Sequence, residues 1–289
     1  MDNRIVVITG ATSGVGKETA RELARLGATV AILGRDFDKG HQTLAELRAS
    51  AKYPDRLSFL SCDLARLDDV RSAAGTLLER FDHVDVLIAN AGTINMRRRE
   101  TVDGYEETFA INHLAHFLLT GLLLEHLVKA PQGRVVVVSS DAHQAGHIRR
   151  DDPQRRRLYT AFGAYAASKL ANLYFTFELA RRLSGTRVTA NALHPGAVDS
   201  NFSKNNGLLA RLGMVIARPF TISPAEAAQT PVYLASAETL AGVTGRYFYR
   251  KRQHPAAKQA QDRAMAEWLW RASETLTGFT YPRFEASRP

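Results

Sequence analysis

Residues 5–16, Ile5-Val6-Val7-Ile8-Thr9-Gly10-Ala11-Thr12-Ser13-Gly14-Val15-Gly16, decide the fold class of this 289-residue chain. Residues 5–8 predict a buried strand, and residues 15–26 place their apolar side chains on one stripe of a helix. A glycine turn between strand and helix lets the backbone approach a pyrophosphate, which the free N–H groups of the helix N-terminus favour. The predicted cofactor-binding residues of this loop are Gly10, Thr12, Ser13, Gly14, Val15 and Gly16. The G-x-x-x-G-x-G spacing differs from the common G-x-G-x-x-G, so an ordinary glycine turn remains the alternative.

Short apolar runs alternate with segments of helical period along the rest of the chain. Further strands are predicted at residues 29–33, 57–60, 84–89, 134–138, 187–193 and 246–249. Strands that are apolar throughout indicate helices on both faces of a parallel sheet. The sequence therefore predicts an α/β protein, a single Rossmann-type doubly wound domain over residues 1–289 with about seven parallel strands. Within it, residues 200–222 are expected to form a substrate lid whose Leu208, Leu209, Leu212, Met214 and Phe220 line the pocket, with an ordinary helical cap packed on the sheet as the alternative. Residues 255–289 are expected to form a C-terminal helical extension.

Composition limits the classes of function. The net charge is +9 and the isoelectric point is about 9.8, yet the arginine clusters are short, scattered and without interleaved aromatics, so we expect no nucleic-acid partner. No apolar run reaches the roughly 20 residues of a transmembrane helix. Cys62 is the only cysteine, and a lone thiol indicates packing rather than catalysis. These features predict a cytoplasmic protein without a transmembrane segment or a metal site.

The end of the second predicted strand bears on the choice of cofactor. An acidic residue there normally binds the adenosine ribose, whereas a nearby arginine can bind a 2′-phosphate. Gly34 stands at the acidic position and Arg35 follows, so NADP(H) is favoured over NAD(H), with Lys39 as a second cation. Asp36 could serve the ribose if the strand ends one or two residues later, and Arg35 could be a plain surface residue.

Polar residues follow several strands at the sheet edge where open α/β folds bind ligands. They are Asp63-Leu64, Asn90-Ala91-Gly92 and Ser139-Ser140. Tyr165 and Lys169 stand four residues apart in a helical stretch, residues 161–183, and therefore share a face. A cation beside the phenol lowers its pKa and makes a general acid/base that works nearer neutrality. The Tyr/Lys pair alone is a weak signal, which the converging strand ends strengthen.

In chain order the motifs are the glycine loop, Asn90-Ala91-Gly92, the serine, Tyr165, Lys169 and His194-Pro195-Gly196. The chain resembles the short-chain dehydrogenase/reductase family in this order of its motifs. The resemblance implies a catalytic tetrad of Asn112, Ser140, Tyr165 and Lys169, with Asn112 holding a water behind the lysine and Ser140 preferred over Ser139. It implies further cofactor contacts from Asp63, Leu64, Asn90, Ala91, Gly92, Pro195, Gly196, Val198 and Ser200. In this mechanism hydride passes between nicotinamide and a carbonyl carbon while Tyr165 supplies the proton.

The long segment between Ser140 and Tyr165 is similar to that of the retinol dehydrogenase and carbonyl reductase branch. That likeness implies an NADPH-dependent carbonyl reductase or alcohol dehydrogenase acting on a bulky lipophilic small molecule, retinoid-like or polyketide-derived. Homodimers and homotetramers are common among similar proteins. One rival is a catalytically silent NADP(H)-binding sensor or scaffold. A serine hydrolase built on Ser139, Ser140, Asp141 and His143 is the other, although no G-x-S-x-G elbow encloses them.

Overall fold

A computed structural model describes residues 1–197 and 222–282. Its sheet has the strand order β3-β2-β1-β4-β5-β6-β7-β8. The strands are β1 (Ile5–Thr9), β2 (Thr29–Gly34), β3 (Leu57–Ser61), β4 (Val86–Ala89), β5 (Arg134–Val138), β6 (Thr189–His194), β7 (Tyr247–Tyr249) and β8 (Arg252–Gln253). The first seven pair in parallel, and the two-residue β8 adds an antiparallel edge. The predicted Rossmann-type fold is confirmed, with one short strand more than expected.

Helices cover both faces of the sheet. They are α1 (Gly14–Arg25), α2 (Phe37–Arg48), α3 (Leu67–Arg80), α4 (Glu107–Phe109), α5 (Ala115–Leu122), α6 (Leu124–Lys129), α7 (Ala161–Arg182), α8 (Pro224–Ser236) and α9 (Arg263–Thr277). A π-helical turn, Ala110–Leu114, joins α4 to α5, and short 3-10 turns include Asp141–Ala145 and Lys258–Gln261. Each parallel crossover brings the chain back to the same edge, so the carboxyl ends of β1 to β6 lie side by side.

Two apolar cores lie on opposite faces of the sheet. One contains Leu23, Leu47 and Leu234 from α1, α2 and α8. The other contains Leu77 from α3 and Trp270 from α9, together with most of the buried side chains of α5 and α7. Burial on both faces explains why the strands read as continuous apolar runs, and it makes the sheet a rigid support for the loops at its edge.

Several predicted boundaries move by a few residues. β4 begins at Val86 rather than at residue 84, and β6 begins at Thr189 rather than at residue 187. The predicted C-terminal helix starts as a 3-10 turn and continues as α9 to Thr277. Almost all of the predicted lid, residues 200–222, lies outside the described residues, as do residues 283–289. Of the helices in the described part of the chain, none is both long and apolar enough to cross a membrane.

Candidate active site

The glycine loop packs directly against the strand beside it. Gly10 and Gly14 have φ angles of +65° and +55°, which favour glycine. A Cβ on Gly10 would lie 2.8 Å from the Cα of Ala91, and a Cβ on Gly16 would lie 2.6 Å from the carbonyl oxygen of Gly10. The Asn90 side chain donates to the carbonyl of Thr9 at 2.8 Å. Gly10 and Gly16 thus let the loop pack this closely, and the loop lines a cavity at the N-terminus of α1, where free backbone N–H groups favour a phosphate.

A buried histidine joins this loop to the π-helical turn. The Thr9 hydroxyl accepts from the backbone N–H groups of Asn90 and Ala91, each at 3.0 Å, and lies 2.8 Å from His116 Nε2. Because both oxygen lone pairs are taken, the hydroxyl proton goes to Nε2. The protonated Nδ1 then donates to the Asn112 carbonyl at 3.1 Å. Burial lowers the pKa of His116 to about 4, which keeps this ring neutral.

At the end of β2 the Thr12 methyl crowds the place where an acidic side chain would begin. A Cβ on Gly34 would lie 2.6 Å from the Thr12 methyl carbon. The Asp36 carboxylate caps α2 by accepting from the Lys39 N–H at 3.0 Å. Arg35 and Lys39 are exposed and line the same cavity. β2 ends at Gly34, as the cofactor prediction assumes, and Asp36 is engaged in capping.

Tyr165 and Lys169 share a face of α7, where Lys169 is buried and Tyr165 is half-buried at the cavity wall. The Lys169 ammonium lies 5.6 Å from the centre of the Tyr165 ring and donates to the Val138 carbonyl at 3.0 Å. The expected lowering of the tyrosine pKa by lysine is wrong in this structure. Burial raises the pKa of Tyr165, and a hydrogen bond with Ser140 opposes part of that rise. Burial also lowers the pKa of Lys169 to about 8, because both charged forms lose water.

The two serines after β5 have different surroundings. Ser139 is buried, and its hydroxyl donates to the Lys169 carbonyl at 2.8 Å. Ser140 is less buried, lines the cavity and hydrogen-bonds Tyr165. His143 contacts the backbone carbonyl of Ser140 through Nδ1 at 2.6 Å. That bond does not activate a serine hydroxyl, so the geometry gives the hydrolase alternative no support.

Asn112 is fully buried beside Lys169. Its amide donates to the Thr93 carbonyl and to the Ser168 hydroxyl, both at 2.9 Å, and its oxygen accepts from the Thr93 N–H at 2.7 Å. A Cβ on Gly92 would lie 3.3 Å from Lys169 Nζ and 3.6 Å from Asn112 Oδ1. The segment after β4, the π-helical turn and α7 thus meet beside the Lys169 ammonium.

The remaining predicted residues border the same cavity where they are described. Asp63, Leu64, Pro195 and Gly196 line it. Val198 and Ser200 lie outside the described residues, together with the lid side chains Leu208, Leu209, Leu212, Met214 and Phe220. Burial raises the pKa of Cys62 to about 12, so its thiol is neutral and packs in the core.

Several cavity residues escaped the motif search. They are Thr93, Ile94, Asn95, Met96, Arg97, Arg99, Glu107, Ile111 and Ala197. Thr93 holds both ends of the Asn112 amide, and residues 93–96 directly follow the predicted Asn90-Ala91-Gly92 segment, so their position after a strand end was the available signal. His113 and His116 lie in the core, where His113 contacts Ser273 at 2.8 Å.

Comparison with known proteins relates this site to characterised relatives. The family model described as short chain dehydrogenase matches residues 4–208. Mouse retinol dehydrogenase 12 is 44% identical over 96% of this chain and 87% of its own length. Human retinol dehydrogenase 13 is 40% identical over 96% of this chain and 86% of its own.

Solved structures agree on the fold. A crystal structure of an uncharacterised protein from Mycobacterium paratuberculosis superposes with a TM-score of 0.78 at 37% identity, over 97% of this chain and 96% of that one. A Shigella flexneri short chain dehydrogenase, described as complexed with NADP, has a TM-score of 0.68 at 24% identity, over 87% of this chain and 98% of that one. At that identity the likeness shows the fold alone.

Proposed function

Since the chain belongs to the short-chain dehydrogenase family, and so is a nicotinamide-dependent oxidoreductase of alcohols and carbonyls, we propose that it is an NADP(H)-dependent carbonyl reductase. The observation that supports this proposal most is one cavity with a volume of about 1390 Å³. It runs from Arg35 and Lys39 past the glycine loop to Tyr165 and Ser140. Ligand pockets usually measure about 300–1,000 Å³, so this one has room for a dinucleotide and a second molecule.

The cofactor assignment rests on charge and space at the end of β2. The 2′-phosphate of NADP(H) needs cations, which Arg35 and Lys39 supply, and the ribose of NAD(H) prefers a carboxylate. Gly34 supplies no carboxylate, the Thr12 methyl crowds the space that one would enter, and Asp36 is engaged at the start of α2.

The test compares NADPH and NADH binding in the native protein, in Arg35→Ala and in Arg25→Ala. Arg25 is an exposed arginine of α1 paired with Glu22, outside the cavity, and so serves as a matched control. Loss of a charge-assisted hydrogen bond of about 1.5–3 kcal/mol predicts NADPH binding about 10- to 150-fold weaker in Arg35→Ala. NADH binding should not change. Equal affinity of the native protein for both cofactors would refute the assignment.

The catalytic roles follow from the positions of the polar groups. The glycine loop, Arg35 and Lys39 would hold NADP(H), whose nicotinamide would supply a hydride to the carbonyl carbon of the substrate or accept one from the alcohol carbon. Tyr165 donates its phenolic proton to the carbonyl oxygen, and the Ser140 hydroxyl donates a hydrogen bond to the same oxygen. The Tyr165 phenol carries its proton at neutral pH, the form that reduction consumes, because its pKa lies above 7 in its ordinary state and burial raises it further. Lys169 and Asn112 lie behind the phenol, where a water held by Asn112 returns the proton.

We infer a bulky, lipophilic carbonyl or alcohol as the substrate. Ile94, Met96 and Ile111 contribute apolar surface to the cavity, and Phe162 is exposed one turn before Tyr165. Relatives at 40–44% identity are named retinol dehydrogenases, which supports a retinoid-like molecule.

Turnover of retinal and of a panel of bulky ketones with NADPH tests this inference, with acetone as a small control. Retinal and the bulky ketones should give a higher kcat/KM than acetone. The sensor alternative predicts NADPH binding without turnover of any carbonyl, unchanged in Tyr165→Phe.

A further inference from the structure

The backbone turn that carries Ser140 is held by a residue the mechanism does not use. Ser140 begins the 3-10 turn Asp141–Ala145, and its carbonyl accepts two bonds from His143, from the backbone N–H at 3.0 Å and from ring Nδ1 at 2.6 Å. The His143 side chain is fully buried, although the turn lies at the edge of the cavity. Ser140 is thus fixed through its main chain as well as its hydroxyl.

The other ring nitrogen of His143 contacts the C-terminal part of the chain. The backbone N–H of Ala257 donates to His143 Nε2 at 3.1 Å. Because a backbone N–H can only donate, Nε2 carries no proton and Nδ1 carries it. His143 is therefore a neutral bridge with a defined tautomer, from the segment after β8 to the carbonyl of Ser140. Burial lowers its pKa, which favours the neutral ring.

Gln259 holds the same turn from outside. Its amide nitrogen donates to the carbonyls of His143 and Gln144, both at 3.1 Å, and of Gly146 at 2.9 Å. Its own backbone carbonyl accepts from the Tyr174 hydroxyl of α7 at 2.9 Å. Gln259 thus ties three carbonyls of residues 143–146 to the helix that carries Tyr165, and its two amide hydrogens are shared among the three acceptors.

Ala257 and Gln259 lie beyond residues 4–208, the part that matches the family model. We propose that residues 257–259 form a clamp that acts through His143 and Gln259 to position Ser140 against Tyr165. The clamp rests on the role proposed above for Ser140. His143 and Gln259 are positioning residues, since neither lines the cavity. Ser140 must aim its hydroxyl at one oxygen, so a displacement of about 1 Å is expected to cost up to about 100-fold in rate.

The first experiment compares Gln259→Leu with Gln261→Leu. Gln261 is an exposed glutamine of the same 3-10 turn and provides the matched control. In Gln259→Leu we expect kcat to fall about 10- to 100-fold while the dissociation constant of NADPH stays unchanged. Amide hydrogen exchange measured by mass spectrometry should accelerate in the peptide covering residues 140–146. Gln261→Leu should match the native protein in both measurements.

The second experiment separates positioning from packing. His143→Asn keeps an N–H at the place of Nδ1, whereas His143→Leu removes it at similar volume. If the bond to Ser140 matters, His143→Asn retains several-fold more kcat than His143→Leu. Equal kcat in these two variants would overturn the role of His143.

Native exchange rates together with native kcat in Gln259→Leu would overturn the clamp. Failure of the proposed reaction is distinguishable, because a protein that binds NADPH but turns over no carbonyl would still show the exchange difference. In that case an unchanged exchange rate would overturn the clamp, and faster exchange would support it.

Discussion

A single aspartate at the end of β2 should not convert this protein to NADH use, although that position is acidic in proteins that bind the ribose of NAD. In Gly34→Asp the new Cβ would lie 2.6 Å from the methyl carbon of Thr12 and 3.5 Å from its hydroxyl oxygen. Gly34 is not among the glycines with positive φ, so crowding by Thr12 is the main obstacle. Thr12→Ser removes the methyl and keeps the hydroxyl.

The NADH affinity of Gly34→Asp depends on two opposing free energies. Crowding of this kind costs about 1–3 kcal/mol, and a carboxylate that accepts hydrogen bonds from ribose hydroxyls contributes about 1.5–3 kcal/mol. In Gly34→Asp the two effects nearly cancel, so NADH affinity changes little. With Thr12→Ser added, the gain remains and NADH should bind about 10- to 150-fold more tightly. NADPH should bind more weakly in both aspartate variants, because the carboxylate repels the 2′-phosphate.

Fluorescence titration of both cofactors against the native protein and three variants provides the measurement. The variants are Thr12→Ser, Gly34→Asp and the double substitution, with Thr12→Ser as the control. A tenfold gain in NADH affinity from Gly34→Asp alone would refute the role of the Thr12 methyl. A double variant that binds NADH no better than Thr12→Ser would refute the assignment of this corner to the adenosine ribose.

Three further outcomes follow from the buried polar groups. Tyr165→Phe should lower kcat about 10²- to 10⁴-fold with NADPH affinity retained, and near-native kcat would contradict the proton-transfer role. The pKa of Lys169 is about 8 in the folded protein, below its unfolded value, so the buried charge destabilises the fold at pH 7. Lys169→Met should therefore lose activity, yet its free energy of unfolding in urea at pH 7 should be about 2 kcal/mol larger than that of the native protein. This advantage shrinks as the pH rises from 8 to 10.5, where the native lysine loses its proton, and a less stable variant would contradict the argument. His113 and His116 have folded pKa values of about 3 and 4, so the unfolded chain binds more protons below pH 6.5. The free energy of unfolding in urea should fall between pH 6.5 and pH 4 by up to about 2.7 kcal/mol per pH unit, and by less in His116→Gln. A free energy that does not change over this pH range would count against the buried neutral rings.

Local patterns carried most of the fold prediction. Continuous apolar runs fixed the positions of seven parallel strands, because burial on both faces demands them. The glycines at the end of β1 and the start of α1 could be predicted for a different reason, since no residue with a side chain fits beside Ala91 and Asn90 at Gly10 and Gly16. β8 was missed because two exposed residues at a sheet edge carry no periodic signal.

The chemistry of the site depends more on distant contacts. The motif places Lys169 beside Tyr165 on one helical face, which suggested that the cation lowers the phenol pKa. The pKa shift runs in the other direction because burial, set by elements far apart in sequence, acts on both groups. Ser139 and Ser140 differ in the same way, since only the folded chain shows that the Ser139 hydroxyl is engaged by the Lys169 carbonyl.

A buried site of this kind needs support from beyond its motifs. Tyr165 and Lys169 are held by the rigid α7, whereas Ser140 begins a 3-10 turn just after β5. Besides its internal bonds, this turn is bonded by a distant part of the chain, since the Ala257 N–H donates to the His143 ring and the Gln259 amide donates to carbonyls of residues 143–146. The motif-bearing part of the chain therefore supplies the reactive groups, and the clamp at residues 257–259 supplies the rigidity that their geometry requires.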